Sequence, residues 1–215
     1  GSGDAFRHIV SLVPLLLHLN HPALPGYVED APAGIADFTL SNYQQNFLSK
    51  EHPELVEDVQ SAVNSDAVFA PIFGIYVMGS FGSISQTSAS DLDIWICHQD
   101  DLSEQEQQRL AEKTKKISQW ASTYHVEMHF YLMTQQRFRN ERYSDPLTKE
   151  NSGSAQYMLL LEEFYRSAVR LAGKPLLWPH LWVEDEKQYE AEVARLVAAG
   201  ELNPNDWVDF GGLGQ

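Results

Sequence analysis

Residues 76–95 have the sequence YVMGSFGSISQTSASDLDIW, and this stretch decides how the rest of the chain is interpreted. It starts inside an apolar, β-branched run, 72–78, which is typical of a buried strand. A segment of small and hydroxyl-bearing residues follows, and Asp91-Leu92-Asp93 then opens a second strand. Because alternate residues of a strand point to the same face, the two aspartates project together while the apolar residues between and after them enter the core.

The two aspartates predict a metal site. Neighbouring carboxylates repel each other strongly unless a cation lies between them. Residues two positions apart on a strand lie about 6–7 Å apart, which suits a hard divalent cation that takes oxygen ligands. We therefore predict that Asp91 and Asp93 bind Mg²⁺, or Mn²⁺ in its place. The alternative is a solvent-exposed edge strand with alternating charges.

The Gly-Ser segment predicts a phosphate site beside the metal. Gly79 lets the backbone approach a ligand closely. If a helix begins near Ser80, its free N–H groups and its dipole favour an anion there, and the hydroxyls of Ser80, Ser83 and Ser85 add donors. A metal site next to a phosphate cradle is what in-line attack on a nucleotide α-phosphate requires. A flexible Ser/Gly loop is the alternative.

Hydrophobic periodicity predicts helices and strands on both sides of this stretch. Helices are predicted over 4–19, 102–124, 135–142, 154–172 and 184–199, and a helical region broken near Pro53 over 41–65. Strands are predicted over 72–78, 92–97 and 126–133, with a short one over 176–178. The predicted fold class is α+β, with the strands in the middle of the chain.

The composition excludes several classes of protein. The chain has 215 residues, of which 43% are hydrophobic and 21% charged. It is long enough to bury about 70% of the surface that its unfolded form exposes. Its composition excludes an intrinsically disordered chain and a fibrous protein. The single cysteine, Cys97, excludes a disulfide framework and a cysteine-based zinc site. No apolar run reaches the roughly 18 residues of a membrane span, so we expect no transmembrane segment. The single cysteine fits a reducing compartment, so we expect a cytoplasmic location.

The charge balance also limits the partners. The chain has 15 Lys and Arg against 30 Asp and Glu, a net charge of −15. Proteins that bind long nucleic acids carry a basic surface, so no nucleic-acid polymer is expected as a partner. A small anion such as ATP stays open, because a metal ion or a local basic patch overrides the field of the whole protein.

The combination of a Gly-Ser pair and a later Asp-hydrophobic-Asp-hydrophobic strand resembles the nucleotidyltransferase superfamily related to DNA polymerase β. The resemblance implies a polymerase-β-like nucleotidyltransferase fold, with a small mixed central sheet flanked by helices. It also implies a third carboxylate on a later strand. Glu127, on the polar face of the predicted strand 126–133, is the candidate, although aspartate is commoner at that place.

Longer segments resemble the N-terminal catalytic region of the class I adenylate cyclases of γ-proteobacteria. The first two are VPLLLHLNHPALPGY (13–27) and YVMGSFGSISQTSASDLDIWICHQ (76–99). The other two are LLEEFYRSAVRLAGKPLLW (160–178) and LNPNDWVDFGGL (202–213). They occur in the order found in that family, and the segment 160–178 separates it from other nucleotidyltransferases.

This resemblance implies a reaction and roles for the site residues. The reaction is conversion of ATP to 3′,5′-cyclic AMP and pyrophosphate with Mg²⁺ or Mn²⁺. The implied catalytic and metal-binding residues are Asp91, Asp93 and Glu127, with Glu127 helping to deprotonate the ribose 3′-OH. The implied phosphate-binding residues are Gly79, Ser80, Ser83 and Ser90, of which the last shapes the turn into the metal-binding strand.

The resemblance also implies an organisation of the chain. We expect residues 1–70 to form an N-terminal helical segment packed on the catalytic core, and residues 71–183 to form that nucleotidyltransferase core. Residues 184–215 would be a C-terminal helical segment, truncated before a missing regulatory region. A regulatory protein of the sugar phosphotransferase system is expected to act through that absent region.

Basic residues near the predicted site are candidates to hold the triphosphate. Arg166 and Arg170 are four residues apart and share a face of the predicted helix 154–172, and Lys174 follows that helix. Arginine can grip phosphate with two parallel hydrogen bonds. We hypothesise that one or more of these residues clamps the β- and γ-phosphates. The alternative for the arginines is pairing with the glutamates of their own helix.

Two further residues share the strand face of the predicted metal ligands. Trp95 lies one strand step beyond Asp93, so it is a candidate for a base or ribose contact, with a core position as the alternative. His129 shares the face of Glu127, and we interpret it as a surface or core histidine and not as a ligand.

Other functions stay open or are excluded by the same motifs. A Rossmann dinucleotide site needs a long helix after the glycines and a lone acid about twenty residues on, which the early Asp-Leu-Asp strand contradicts. Transfer of a nucleotidyl group to a protein or small-molecule acceptor uses the same active-site chemistry and stays open. A non-catalytic ATP-sensing module also stays open, and metal-dependent turnover would exclude it.

Overall fold

A computed structural model describes residues 2–63, 70–78, 90–142, 152–181, 183 and 185–212. The α-helices are α1 (Ser2–His18), α2 (Asn42–Glu51), α3 (Val56–Val63), α4 (Glu104–Ser122), α5 (Gln135–Arg142), α6 (Ser152–Ser167) and α7 (Glu186–Ala198). The strands are β1 (Ile72–Met78), β2 (Ser90–His98), β3 (Val126–Met133) and β4 (Val169–Gly173).

The strands form one mixed sheet in the order β3-β2-β1-β4. β2 and β3 are parallel, and α4 is the crossover that a parallel pair needs. β1 is antiparallel to both of its neighbours. The predicted fold class, α+β with a small mixed central sheet flanked by helices, is confirmed.

The two faces of the sheet are covered by different helices. We call the first the aliphatic face: Leu92, Ile94 and Ile96 of β2 pack in one buried cluster with residues of α1 and α4. We call the other the aromatic face: Trp95 and Cys97 of β2 pack in a second cluster with residues of α5 and α6. Because side chains alternate along a strand, Asp91 and Asp93 belong to the aromatic face.

The helix predicted over 154–172 is wrong in its last part. α6 ends at Ser167, and residues 169–173 form β4, which pairs with β1. Backbone pairing with a central strand overrides the helical pattern here, because Leu171 and Ala172 then pack on the main core. Gly173 has a φ of +85°, and a Cβ at this position would lie 2.5 Å from the Phe73 carbonyl oxygen. Only glycine fits this approach of β4 to β1.

The predicted helix 102–124 is confirmed as α4, whose start carries a capping box between Ser103 and Glu106. Lys113 lies on its buried side. The ammonium of Lys113 donates to the carbonyl oxygens of Leu19 at 2.9 Å and Gly26 at 3.2 Å, and it reaches the Asn20 side-chain oxygen at 3.3 Å. Burial lowers the pKa of Lys113 to about 8. The lysine fixes the connection after α1 to α4.

The chain near its end is held by one carboxylate. Asp209 pairs with Arg139 of α5 at 2.6 Å and accepts a hydrogen bond from the Tyr189 hydroxyl at 2.7 Å. It also accepts from the backbone N–H of Gly211. The short strand predicted over 176–178 is only a single bridge between Leu176 and Val208, followed by a 3₁₀ turn at Trp178–His180.

The remaining predicted helices and strands agree with the structure to within a few residues. None of the helices among the described residues combines the length and apolar character needed to cross a membrane.

Candidate active site

Two of the three predicted carboxylates, Asp91 and Glu127, meet at one corner of the aromatic face, and Asp93 lies one strand step from Asp91 on the same face. β2 and β3 run parallel from this corner, and their register places Asp91 opposite Glu127 and Asp93 opposite His129. Asp93 is also opposite Met78, the last residue of β1. Parallel pairing therefore places Glu127 opposite Asp91 and two residues before the partner of Asp93.

His129 lies within this group of carboxylates. Its Nε2 atom is 3.3 Å from a Glu127 carboxylate oxygen and 3.7 Å from an Asp91 carboxylate oxygen. One possible ligand atom from each of these three exposed residues lies within 4.8 Å of the others. The sequence interpretation treated His129 as a surface or core histidine. The sequence feature that indicates its place in the cluster is the alternation along β3, which puts His129 on the same strand face as Glu127.

The electrostatics of Asp93 also reflect this crowding. The carboxyl is half-buried, and burial is the main cause that raises its pKa above the usual value for aspartate. His129 lowers that pKa, while the charges of Asp91 and Glu163 raise it further. Glu163 of α6 was not predicted as part of the site. A carboxylate in such a place is stabilised in its charged form by a nearby cation.

The donor atoms fit a divalent cation. Asp91, Asp93 and Glu127 offer carboxylate oxygens from one corner, and Mg²⁺ and Mn²⁺ prefer oxygen ligands. The imidazole of His129 adds one nitrogen that could ligate a metal or hold a ligating carboxylate in place. These residues could hold Mg²⁺ or Mn²⁺, the metals predicted from the sequence.

The basic residues do not gather around the carboxylates as predicted. Arg166 is exposed in the last turn of α6, one turn after Glu163. Arg170 lies on β4, separated from β2 by β1, and donates to the Gly173 carbonyl at 3.1 Å. The shared helix face of the two arginines is therefore wrong, because α6 ends between them.

Lys174 is also placed away from the predicted role. It is buried, and its ammonium lies 4.5 Å from the centre of the Phe73 ring. An ammonium held against a ring in the protein interior is not presented to a triphosphate. Of the three basic candidates, only Arg166 keeps an exposed position on an element that contributes to the electrostatics of Asp93.

Trp95 is a core residue. The Tyr131 ring stacks against it at 4.6 Å, and the Phe164 ring stacks against it at 4.5 Å. The side chain is 1% exposed. The structure contradicts the predicted base or ribose contact, because aromatic packing leaves Trp95 no surface for a ligand.

The predicted phosphate cradle falls largely outside the described residues. Gly79, Ser80 and Ser83 lie in the interval between Met78 and Ser90, of which the structure describes only the two ends. Ser90 is the first residue of β2 and is paired with Val126. These four residues stay predicted phosphate ligands.

Comparison with known proteins identifies the family. The chain is 67% identical to an adenylate cyclase of Haemophilus influenzae over its whole length, 58% identical to one of Pasteurella multocida, and 42% identical to one of Escherichia coli over 98% of the chain. It spans about a quarter of the length of these curated relatives, 26%, 26% and 24%.

A crystal structure of a toxin-antitoxin with AMP-PNP aligns with 73% of the chain and 86% of its own, at 15% identity and a TM-score of 0.28, too distant a likeness to carry an argument. The family described as "Adenylate cyclase NT domain" matches residues 2–179. The chain belongs to this adenylate cyclase N-terminal domain family.

Proposed function

We propose that this chain carries the active site of an adenylate cyclase, which converts ATP to 3′,5′-cyclic AMP and pyrophosphate. The observation that carries the proposal is the parallel register of β2 and β3, which puts Glu127 beside Asp91 and Asp93. Membership in the family supports the identity of the reaction. Carboxylates at this corner would hold divalent cations, and such cations would neutralise the negative charge on a triphosphate.

In the proposed reaction the ribose 3′-oxygen attacks the α-phosphorus of the same ATP. The new O3′–Pα bond forms, the bond from Pα to the bridging oxygen of the β-phosphate breaks, and pyrophosphate leaves with that electron pair. Glu127 accepts the proton of the 3′-OH. A divalent cation supplies acidity to the hydroxyl and neutralises negative charge on the phosphates.

The protein residues have separate tasks in this proposal. Asp91 and Asp93 would hold Mg²⁺ or Mn²⁺, the metals that their oxygen ligands suit. His129, at 3.3 Å from Glu127, orients that carboxylate toward the hydroxyl. Gly79, Ser80, Ser83 and Ser90 are proposed to bind the triphosphate, with Arg166 as the arginine that reaches the phosphates.

The first experiment is product analysis with α-³²P-labelled ATP and Mg²⁺, comparing the parent with Asp93→Asn. We expect labelled cyclic AMP from the parent and at least about a 100-fold lower rate from the variant, because a metal-binding charge is lost. Asp100→Asn, at an exposed carboxylate just after β2, is the matched control and should retain the parent rate.

The identity of the product separates the proposal from its alternatives. Label transferred to a protein or to a small-molecule acceptor would replace cyclisation by nucleotidyl transfer. Metal-dependent binding of ATP without turnover, in this chain and in a longer protein that contains it, would favour a sensing module. Equal rates in the parent and Asp93→Asn would remove the metal site from the mechanism.

Location and regulation are proposed on the same basis of family resemblance. The reaction is proposed to take place in the cytoplasm. The regulatory protein of the phosphotransferase system is proposed to act on parts of the protein outside residues 1–215.

A further inference from the structure

Asp91, Glu127 and His129 form a group of possible metal ligands that differs in chemistry from the pair of aspartates on β2. One possible ligand atom of each residue lies within 4.8 Å of the other two. The Nε2 atom of His129 is 3.3 Å from a Glu127 oxygen and 3.7 Å from an Asp91 oxygen. Parallel pairing of β2 and β3 holds the three residues at neighbouring positions. We call them the mixed-ligand group, because they offer carboxylate oxygens and one nitrogen.

The spacing of these atoms fits a single divalent ion. An octahedral ion with bonds of about 2.1 Å keeps adjacent ligand atoms about 3.0 Å apart and opposite ligand atoms about 4.2 Å apart. The two distances from Nε2 lie between these limits. All three side chains are exposed, so an ion can reach the group and water can complete its coordination. The group could therefore bind one ion without a change in the strand register.

The charge of the group also favours a cation. Asp91 and Glu127 lie opposite each other, and no lysine or arginine in the described part of the chain forms an ion pair with either carboxylate. Neighbouring carboxylates without such a partner repel each other. A divalent ion placed among the three side chains would remove that repulsion.

The nitrogen of His129 gives the group a preference among divalent ions. Mg²⁺ is a hard ion that takes oxygen ligands and gives up its water reluctantly. First-row transition-metal ions accept imidazole nitrogen as well as carboxylate oxygen, and their affinity for such a site rises from Mn²⁺ to Co²⁺. Asp93 offers only oxygen and lies one strand step beyond Asp91, outside the group. Selectivity against Mg²⁺ therefore depends on His129 and not on the aspartates.

We propose that the mixed-ligand group binds one divalent ion, and that His129 makes this position prefer a first-row transition-metal ion, such as Mn²⁺ or Co²⁺, to Mg²⁺. The inference deepens the proposed function and rests on it, since it identifies the residue that would select the metal of the reaction. An ion bound by both side chains also holds Glu127 at His129, in agreement with the positioning role of this histidine.

The first test compares the metal affinities of the 215-residue chain and of His129→Gln without nucleotide. The electron paramagnetic resonance signal of free Mn²⁺ measures Mn²⁺ binding, and displacement by Mg²⁺ in the same samples measures Mg²⁺ binding. In His129→Gln the preference for Mn²⁺ over Mg²⁺ should fall about tenfold, because an amide replaces the nitrogen ligand. His180→Gln is the matched control. His180 is exposed in the turn Trp178–His180, outside the group, and its loss should leave the preference unchanged.

A second measurement detects the ligand directly and gives an answer even if the variant does not fold. Electron spin echo modulation of bound Mn²⁺ reports the nitrogen of a ligated imidazole. The parent chain should show this nitrogen coupling, and His129→Gln should lose it. Asp93→Asn should retain it, because Asp93 lies outside the group.

The outcomes distinguish this inference from the proposed function. Absence of nitrogen coupling in the parent, or an unchanged preference in His129→Gln, overturns metal selection by His129. Either result leaves the cyclase proposal in place, since that proposal requires only the carboxylates and a divalent ion. Nitrogen coupling in a parent chain that forms no cyclic AMP with Mg²⁺ or Mn²⁺ would support the metal position and overturn the proposed function of this chain.

Discussion

The aliphatic and aromatic faces of the sheet are built from alternate residues of the same strands, yet they differ in what they tolerate. On the aliphatic face, Leu92, Ile94 and Ile96 are fully buried under α1 and α4. On the aromatic face the packed rings stop at Trp95, and the next side chain toward the start of β2 is the half-buried carboxyl of Asp93. The aliphatic face of β2 is apolar along the strand, whereas the aromatic face has charged residues at the start of the strand.

This difference indicates where the fold can hold a reactive site. Carboxylates that repel each other cost less at the corner of a sheet, where solvent or a cation reaches them, than in its centre. Behind them on the same face, Trp95 is packed between Tyr131 and Phe164. Substitutions on the two faces should therefore separate stability from activity.

The largest expected effect on stability is on the aliphatic face. Ile94→Ala removes a fully buried side chain and should lower the free energy of unfolding by about 2–5 kcal/mol, from lost burial and the cavity left behind. Urea unfolding followed by circular dichroism measures it. Asp91→Ala, three residues earlier on the same strand and exposed, is the control and should change the value by less than about 0.5 kcal/mol. Similar losses in both variants would mean that the two faces do not differ as described.

The next largest effect on stability concerns Asp209, which links the last described part of the chain to α5 and α7. Asp209→Ala removes the partner of Arg139 and the acceptor of the Tyr189 hydroxyl, and should cost about 2 kcal/mol. Tyr189→Phe removes only one of these hydrogen bonds and should cost about 1 kcal/mol. Thermal or urea unfolding measures both. A loss for Asp209→Ala no larger than for Tyr189→Phe would mean that the ion pair with Arg139 contributes nothing.

A buried histidine beside the aliphatic core makes stability depend on pH. His18 accepts a hydrogen bond from the Ile35 N–H at 3.0 Å and stacks on Phe38, and burial lowers its pKa from about 6.5 to about 4. Between these values the unfolded chain binds a proton that the folded chain does not, so stability falls as pH falls. At pH 5 the contribution of His18 should be about 2 kcal/mol less favourable than at pH 7.

The control for this pH effect is a variant that cannot titrate at the same place. His18→Asn should be less stable than the parent at pH 7, and its stability should fall less steeply between pH 7 and pH 5. Urea unfolding at the two pH values gives both slopes. Parallel slopes in the parent and the variant would assign the pH dependence to other groups.

The sequence predicted most elements because each carries its own periodic pattern. The strand 126–133 alternates residue by residue, and α4 begins at a capping serine, Ser103, so local rules were sufficient. β4 was missed because the segment 169–173 continues a helical pattern. It becomes a strand only through backbone pairing with β1, which lies almost a hundred residues away in the chain.

The candidate site was predictable to the same degree and for the same reason. Alternation along β2 and β3 put Asp91, Asp93 and Glu127 on polar strand faces, but the pairing that makes them neighbours depends on the register across α4. The same register adds His129, which carries no ligand motif of its own. The sequence could not decide whether Trp95 is a core residue or a ligand contact. Its stacking partner Phe164 lies on α6, far from Trp95 in the chain.

The smallest expected effect on stability accompanies the largest loss of activity. Burial and the neighbouring carboxylates raise the pKa of the Asp93 carboxyl, so its charged form is unfavourable in the folded state. Asp93→Asn removes this half-buried negative charge. The free energy of unfolding at pH 7 without metal should stay within about 0.5 kcal/mol of the parent or rise, whereas cyclic AMP formation should be lost.

In the parent, the Asp93 carboxyl favours folding as pH falls, because the folded state then binds more protons than the unfolded one. Adding Mg²⁺ should raise the melting temperature of the parent more than that of Asp93→Asn, because binding to the folded state alone stabilises it. A marked loss of stability in metal-free Asp93→Asn would mean that this corner contributes to folding as the aliphatic face does, and the contrast between the two faces would then be wrong at its most exposed point.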